Sequence, residues 1–251
     1  MKKRFWVVVQ QIIRKADIIL EVLDARMDEL TRIKSIEEYA RNHNKPLILV
    51  INKADIVSKN TIENIKQKYH GKDYLLFSSK LKNNINDIIG LIKSKVKHEK
   101  AKVAVVGYPN TGKSSLINVL SKGGKVRVSL ESGFTKGLQL IRGKGDLMLF
   151  DTPGIVPFQQ RDEIRLGLVS GISPQKLSDA DIVAFELIKI FKENNPKALE
   201  EAYSINPEIE LEEFLIELAK KWNMFLKNAV PDERRAAIQL LTDWHNGKIR
   251  V

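Results

Sequence analysis

Short apolar runs, each followed by a polar residue or a glycine, recur along the first 160 residues of the chain. The clearest runs are 18–23, 47–51, 103–106 and 147–150, and they are followed by Asp24, Asn52, Gly107 and Asp151. Runs this short and almost wholly apolar predict parallel strands that are covered by helices on both faces. Helix-patterned segments lie at about 29–42, 60–69, 84–98 and 113–121. The alternation predicts an α/β fold with an open, mostly parallel sheet.

The pattern changes after about residue 165. Helical periodicity continues at 177–192, 197–203, 210–227 and 231–243, with prolines between these segments. Trp222 and Phe225 are spaced to share a helical face with Leu215 and Leu218, which predicts core packing rather than base stacking. For Trp244, which is near Lys248 and Arg250, both alternatives stay open. We therefore predict two domains, an α/β domain over 1–164 and a small all-helical domain over 165–251.

The segment from Gly107 to Ser114 has the spacing G-x-x-x-x-G-K-S of a phosphate-binding loop. Its context is the one that such a loop requires, because an apolar run precedes it and a helix-patterned segment follows. Glycines allow backbone N–H groups to turn towards an anion, and the start of the helix adds partial positive charge. In such a loop Lys113 reaches the β- and γ-phosphates and the Ser114 hydroxyl ligates Mg²⁺. The alternative, a chance glycine-rich turn, is disfavoured by the flanking elements.

Two further short sequences predict recognition of a guanine base. Asn52-Lys53-Ala54-Asp55 follows an apolar run, and a carboxylate there accepts hydrogen bonds from guanine N1–H and the exocyclic amine. Adenine lacks that pair of donors, and a site that leaves polar groups unpaired rejects the wrong base strongly. Ser78-Ser79-Lys80 follows a predicted strand at 74–77 and is placed to cover the base. Each sequence alone is a weak signal, but together with the phosphate loop they predict a guanine nucleotide site.

The sequence Asp151-Thr152-Pro153-Gly154 supplies further polar groups of the predicted nucleotide site. Asp151 is placed to bind Mg²⁺ through a water molecule, and the Gly154 N–H is placed to bind the γ-phosphate. Thr135, between the phosphate loop and Asp151, is placed to ligate Mg²⁺ when a triphosphate is bound. The residues predicted to bind the nucleotide are Asn52, Lys53, Ala54, Asp55, Ser78, Ser79, Lys80, Pro109, Asn110, Thr111, Gly112, Lys113, Ser114, Ser115, Thr135 and Gly154.

The order of these sequences along the chain is unusual, because the base-recognition residues precede the phosphate loop. This order resembles that of the circularly permuted GTPases, and most closely the ribosome biogenesis GTPase A family (RbgA, YlqF or YawG). Asp24-Ala25-Arg26 is similar to the family's D-A-R sequence, and residues 243–249 are similar to its C-terminal D-[FW]-x-x-G-K pattern. The resemblance departs at Met27-Asp28, where the family has proline, and at Ser132-Gly133, where it often has Pro-Gly. The first departure leaves the role of the D-A-R loop open.

The resemblance implies a circularly permuted GTP-binding domain over 1–164, with GTP or GDP and Mg²⁺ as its ligands. It also implies a nucleotide switch in assembly of the large ribosomal subunit, with transient binding to rRNA and to the subunit precursor. Asn110 resembles an asparagine that helps to coordinate K⁺ in related GTPases. We expect slow intrinsic GTP hydrolysis, because Ile155 stands where many GTPases have a water-orienting glutamine. The candidate catalytic residues are Lys113, Asn110, Thr135 and Gly154.

Composition agrees with a polyanionic partner. The 251 residues carry 42 Lys+Arg and 31 Asp+Glu, a formal net charge of +11 at pH 7. Residues 1–160 hold 29 of the basic and 15 of the acidic side chains, so the excess lies in the α/β part. Such an excess favours contact with a phosphate backbone, although a lysine-rich surface has the same composition. With no cysteine, disulfides, thiolate catalysis and sulfur-ligated zinc are excluded.

Other functions stay open beside the preferred one. A GTPase of small-subunit maturation is disfavoured, because those relatives carry cysteine-based zinc modules. A GTP-dependent binding module would have the same nucleotide site with incidental hydrolysis. An ATPase is disfavoured by Asp55. The basic residues at 2–4 precede only five apolar residues, fewer than the ~7–15 of a signal peptide or the ~20 of a membrane span. We expect a cytoplasmic protein, not bound to membranes and monomeric off the ribosome.

Overall fold

The computed structural model describes residues 3–122, 140–152, 154 and 162–250, with residues 3–5 and 151 described by their backbone alone. The α-helices and strands of this part of the chain, in order, are α1 (Lys3–Lys15), β1 (Ile18–Asp24), α2 (Asp28–Thr31), α3 (Lys34–Asn42), β2 (Leu47–Asn52), α4 (Lys59–Lys68), β3 (Tyr74–Leu76), α5 (Ile85–Lys95), β4 (Lys102–Gly107), α6 (Lys113–Leu120), β5 (Leu140–Arg142), β6 (Met148–Asp151), α7 (Glu163–Leu168), α8 (Ala180–Asn194), α9 (Pro196–Tyr203), α10 (Leu211–Lys221) and α11 (Glu233–His245). The chain divides into two compact units, the first Met1–Asp55 with Ile62–Phe158 and the second Ile56–Thr61 with Gln159–Val251.

The first unit is built on a six-stranded sheet with the order β3-β2-β1-β4-β6-β5. Its neighbouring strands are parallel except for β5 and β6, which are antiparallel. The register places Asp24 beside Asn52 and Val22 beside Gly107. Because parallel strands end at the same edge, the residues that follow β1, β2, β3, β4 and β6 are brought together there. The predicted α/β fold with a mostly parallel sheet is confirmed.

The core of the first unit explains why these runs become strands. Every residue of β1 is buried, as expected for a strand that has a neighbour on each side and helices on its faces. Apolar residues of β1, β2, β4 and β6 pack in one cluster with those of α5 and α6, among them Ile88, Ile92, Leu116 and Leu120. Burial of each such side chain contributes about 1.5–3 kcal/mol.

The helix predicted at 29–42 is two helices, α2 and α3, and the prediction of one helix was wrong. Arg32 adopts an extended backbone (φ −70°, ψ 141°) and separates them. Its guanidinium binds Glu37 through Nη2 at 2.5 Å, and the N–H of the next residue, Ile33, donates to Glu21 Oε1 at 2.6 Å. These two contacts compensate for the hydrogen bonds that a continuous helix would have made.

The second unit contains α7 to α11, and its helices pack around apolar side chains. Trp244 is fully buried, and its Nε1–H donates to the Leu168 carbonyl oxygen at 2.8 Å. Of the two alternatives for Trp244, the structure therefore shows core packing. Phe225 is 41% exposed because α10 ends at Lys221, so its predicted core packing was wrong. Trp222 is half-buried, edge-on to Tyr203 with 5.4 Å between ring centroids. Among the helices of the described ranges, none is long and apolar enough to cross a membrane.

Candidate nucleotide-binding site

The phosphate-binding loop lies between β4 and α6, where the backbone turns through left-handed conformations. Asn110 has φ +59°, and Gly112, directly before α6, has φ +97°. A Cβ atom on Gly112 would lie 2.1 Å from Asn52 Nδ2, so glycine is required by space as well as by conformation. Gly107, at the end of β4, faces the same restriction, since a Cβ there would lie 2.5 Å from the Val22 carbonyl oxygen. The loop is thus closely packed on the strand ends below it.

Side chains of the loop hold it in this conformation. Thr111 is fully buried and its Oγ1 donates to the Tyr108 carbonyl oxygen at 3.0 Å. The Lys113 ammonium donates to the same carbonyl. Ser114 and Ser115 are exposed in the first turn of α6, which contains no acidic residue. An N-terminal helix turn with exposed hydroxyls and no negative charge suits a phosphate.

Asn52 joins the phosphate loop to the base-recognition loops. This side chain is fully buried at the end of β2. Its Nδ2 donates to the Thr111 carbonyl oxygen at 2.8 Å, and its Oδ1 accepts from the Ser79 N–H at 3.0 Å. One amide therefore fixes the separation of three loops that are far apart in the sequence.

The base-recognition loops present the Asp55 carboxylate. Ser78 Oγ donates to Asp55 Oδ1 at 2.6 Å and accepts from the Leu81 N–H at 3.1 Å. The Ser78 N–H donates to Asn83 Oδ1 at 2.9 Å, a contact that the sequence analysis did not predict. Asp55 Oδ2 has no hydrogen-bond partner among the described residues, which leaves an acceptor at the position predicted to read guanine. Lys80 is exposed.

The D-A-R sequence lies at the end of β1 and contacts the base-recognition lysine. Asp24 is buried, and Arg26 donates to it from Nε at 3.0 Å and from Nη2 at 2.7 Å. Lys53 Nζ is 2.7 Å from Asp24 Oδ2. Burial disfavours the carboxylate, but Arg26 and then Lys53 outweigh it and lower the pKa of Asp24 to about 2. Burial lowers the pKa of Lys53.

The residues that replace the family's proline have their own contacts. Asp28 begins α2, and its carboxylate accepts from Lys68 Nζ at 2.7 Å and from the Tyr69 hydroxyl at 2.6 Å. Thr31 Oγ1 accepts from the Asp24 N–H at 3.1 Å. The loop after β1 is therefore attached at both ends to the first unit, without proline.

The sequence from Asp151 to Gly154 is described in part. The Asp151 backbone pairs with Val105 at the end of β6, and buried Thr152 donates from Oγ1 to the Val105 carbonyl oxygen at 2.6 Å. Gly154 lies against the phosphate loop, where a Cβ would be 3.0 Å from Pro109 Cα. Thr135, Pro153 and Ile155 lie outside the described residues, as do Ser132 and Gly133.

The donor groups suit a magnesium ion that is shared with phosphates. Within the ranges that the structure describes, no three His, Cys, Asp or Glu side chains lie together as a metal site. Ser114 is exposed at the start of α6, and the Asp151 backbone ends β6. A hydroxyl and a carboxylate that acts through water are oxygen ligands of the kind that Mg²⁺ takes beside substrate phosphates.

Comparisons with known proteins agree with this geometry. A family model described as RsgA GTPase matches residues 7–161, and one described as 50S ribosome-binding GTPase matches residues 102–226. The crystal structure of GNP-bound YlqF from T. maritima superposes with a TM-score of 0.68 at 25% identity, covering 98% of this chain and 95% of that one.

Curated relatives are longer than this chain. An uncharacterized GTP-binding protein of Methanocaldococcus jannaschii is 31% identical over 245 residues, covering 96% of this chain and 65% of the relative. Nucleolar GTP-binding protein 2 of Saccharomyces cerevisiae is 33% identical over 256 residues, covering 98% of this chain and 52% of the relative. The chain thus spans about half to two thirds of the length of these relatives.

Proposed function

The chain belongs to the circularly permuted GTPases, the family of YlqF and of the RsgA GTPase model, and on that premise we propose that it binds GTP and hydrolyses it to GDP and phosphate. The main observation behind this proposal is the pair of hydrogen bonds made by the Asn52 side chain. Its one buried amide binds the phosphate loop at Thr111 and a base-recognition loop at Ser79. A ligand with a phosphate end and a guanine end fits that arrangement.

Charge stabilisation is the main catalytic contribution that these residues can make. Lys113 and the N-terminal turn of α6 would place positive charge where the phosphates bind. Gly154, which lies against Pro109 of the phosphate loop, is the proposed donor of an N–H to the γ-phosphate. Ser114, Thr135 and, through water, Asp151 would hold Mg²⁺, which would neutralise negative charge on the phosphates. Ile155 cannot accept a proton or orient water, so intrinsic hydrolysis is slow.

Potassium is the proposed source of the missing charge. Asn110 is exposed in the phosphate loop and has the left-handed conformation with φ +59°. A K⁺ ion held by this side chain would supply positive charge as negative charge develops in the transition state. Single-turnover hydrolysis is expected to be faster in K⁺ than in Na⁺, and faster again with ribosomal subunits. Equal rates under all four conditions would contradict this part of the proposal.

The biological role that we propose is a nucleotide switch in assembly of the large ribosomal subunit, with transient binding to rRNA. Support comes from the 50S ribosome-binding description of the second family model, from the nucleolar relatives and from the +11 charge. The GTP-binding domain is proposed to span 1–164 and the helical domain 165–251. The protein is proposed to be cytoplasmic and monomeric when it is not bound to the ribosome.

Sedimentation with ribosomal subunits tests partner and nucleotide dependence together. The protein is mixed with purified small or large subunits in GDP, in GTP or in a non-hydrolysable analogue. Cosedimentation with the large subunit only in GTP or the analogue is expected. Cosedimentation with the small subunit would support the small-subunit alternative. Equal binding in GDP, in GTP and in the analogue would exclude a nucleotide switch.

A further inference from the structure

The D-A-R sequence is the one conspicuous feature of the first unit that the proposed function leaves without a role. Asp24 is the last residue of β1 and is paired with Asn52 in the neighbouring strand, and its carboxylate contacts the residue after Asn52, which is Lys53. Four donors converge on it: the Arg26 N–H, Nε–H and Nη2–H and the Lys53 ammonium, at 3.1, 3.0, 2.7 and 2.7 Å. Few carboxylates are so fully engaged, and this one is 2% exposed.

We propose that Asp24, fixed by Arg26, is a positioning residue that holds the Lys53 ammonium away from Asp55 and so keeps Asp55 available to read guanine. This inference rests on the proposed function, because it names a further determinant of base specificity in the same site. Lys53 and Asp55 are two residues apart on one loop, and an ammonium that close would be the natural ion-pair partner of Asp55. If the Lys53 ammonium were paired with the Asp55 carboxylate, Asp55 could not accept hydrogen bonds from guanine N1–H and the exocyclic amine.

The geometry shows how Asp24 prevents that pairing. Arg26 donates from two nitrogens in a fork, which fixes the plane of the carboxylate as well as its position. Among the described residues, the Lys53 ammonium has one hydrogen-bond acceptor, Asp24 Oδ2, and the Lys53 side chain is 21% exposed. The carboxylates that act on its charge are Asp24 first and Asp55 second. Without Asp24, Asp55 is the acceptor that remains.

The Lys53 backbone supports the same interpretation. Lys53 has φ +66°, a left-handed conformation that a residue with a side chain seldom adopts. Such a conformation persists where surrounding contacts determine it, and the ion pair with Asp24 and the Ala54 N–H bond to the Phe77 carbonyl oxygen at 3.1 Å are those contacts.

Base discrimination measures this role directly. Inosine diphosphate lacks the exocyclic amine of GDP, so the ratio of the two dissociation constants reports whether Asp55 is available. In the full chain Asp24→Asn is expected to weaken GDP binding about tenfold, the loss of one charge-assisted contact, and to bring the ratio close to one. Asp28→Asn is the matched control, because Asp28 is in the same loop but binds Lys68 and Tyr69, and it is expected to leave both values unchanged.

A second variant background, Lys53→Met, distinguishes a positioning role of Asp24 from a simple loss of structure. Lys53→Met removes the ammonium and keeps the stem. Lys53 is itself a predicted nucleotide-binding residue, so GDP and inosine diphosphate are both expected to bind more weakly, while the ratio of their dissociation constants stays within about twofold of wild type. In the Lys53→Met background, Asp24→Asn is expected to have less than a twofold effect, because the competing ammonium is absent. A tenfold loss of GDP affinity from Asp24→Asn in both backgrounds would overturn the proposal. A ratio of dissociation constants close to one for Lys53→Met alone would also overturn it, and this measurement remains if Asp24→Asn does not fold. If wild type binds neither GDP nor inosine diphosphate, it is the proposed function that fails.

Discussion

Replacing Glu21 with glutamine is expected to stabilise the first unit increasingly as the pH rises. Glu21 is in β1, fully buried, with Oε1 accepting from the Ile33 N–H at 2.6 Å. Its Oε2 has no hydrogen-bond partner among the described residues. Burial, and then the negative charge of Glu37, raise the pKa of Glu21 from 4.5 to about 8, against the opposing effects of the Ile33 N–H and Arg32. The folded protein therefore holds this carboxyl protonated at neutral pH.

The sign and the size follow from proton linkage. A carboxyl with a raised pKa contributes stability that is complete below pH 4.5 and is lost as the pH rises to about 8. One proton of difference between folded and unfolded chains changes the free energy of unfolding by about 1.4 kcal/mol per pH unit. Between pH 5 and 7.5 wild type therefore loses about 3 kcal/mol through Glu21 alone. Glutamine does not titrate and keeps the acceptor for the Ile33 N–H.

Urea unfolding followed by circular dichroism at several pH values measures the effect. The difference in free energy between Glu21→Gln and wild type is taken at each pH, so that contributions from other groups cancel. Glu63→Gln is the control, because the Glu63 side chain is 61% exposed in a pair with Lys66, and its difference is expected to be flat. A difference for Glu21→Gln that stays constant from pH 5 to 7.5 would show that Glu21 does not titrate as its burial requires.

Other substitutions test the nucleotide site and the second unit. Asp55→Asn is expected to weaken GTP binding by at least ~10²-fold and to admit xanthosine triphosphate, whose carbonyl can accept from the new amide, as competition binding would show. Gly112→Ala is expected to abolish nucleotide binding, because its Cβ would lie 2.1 Å from Asn52 Nδ2, while circular dichroism shows an unchanged helical content. Trp244→Phe leaves the Leu168 carbonyl without its donor and is expected to lower the stability of the second unit by about 1–3 kcal/mol, without changing affinity for GDP.

Four of the five strands that the sequence predicted, β1, β2, β4 and β6, place apolar residues in the core cluster, whereas the fifth, β3, is half-buried. β1, β2, β4 and β6 are long enough and apolar enough to be recognised from composition alone. β5 escaped prediction because it is three residues long and pairs with β6 only, at the antiparallel edge of the sheet. α1 was not predicted, because the basic residues at 2–4 followed by a short apolar run resemble the start of a signal sequence. Its apolar residues Val9, Ile12 and Ile13 nevertheless have helical spacing and are buried.

The candidate site was predictable in its parts but not in its connections. Each loop can be recognised from residue types at a fixed spacing. The rule that ligands bind at the carboxyl ends of parallel strands then places these loops at one edge of the sheet. The bond from Asn52 to the Thr111 carbonyl joins residues that are 59 positions apart. The contact between Asp24 and Lys53 depends on β1 lying beside β2, and strand order is not readable from apolar runs. Tertiary pairing, rather than local pattern, decides both contacts.

Two carboxylates on β1 show how strongly tertiary contacts can change the charge state of groups of the same type. Glu21 and Asp24 are three residues apart and both are buried. Asp24, at the end of the strand, is bound by Arg26 and Lys53, and its pKa falls to about 2. Glu21, inside the strand, is removed from solvent near the negative charge of Glu37, and its pKa rises to about 8. The formal charge of +11 counts both as ionised, so at pH 7 Glu21 makes the folded chain one unit more positive than that count. The charge that remains on β1 is at the edge where the phosphate and base loops meet, because there basic neighbours compensate for the loss of solvent.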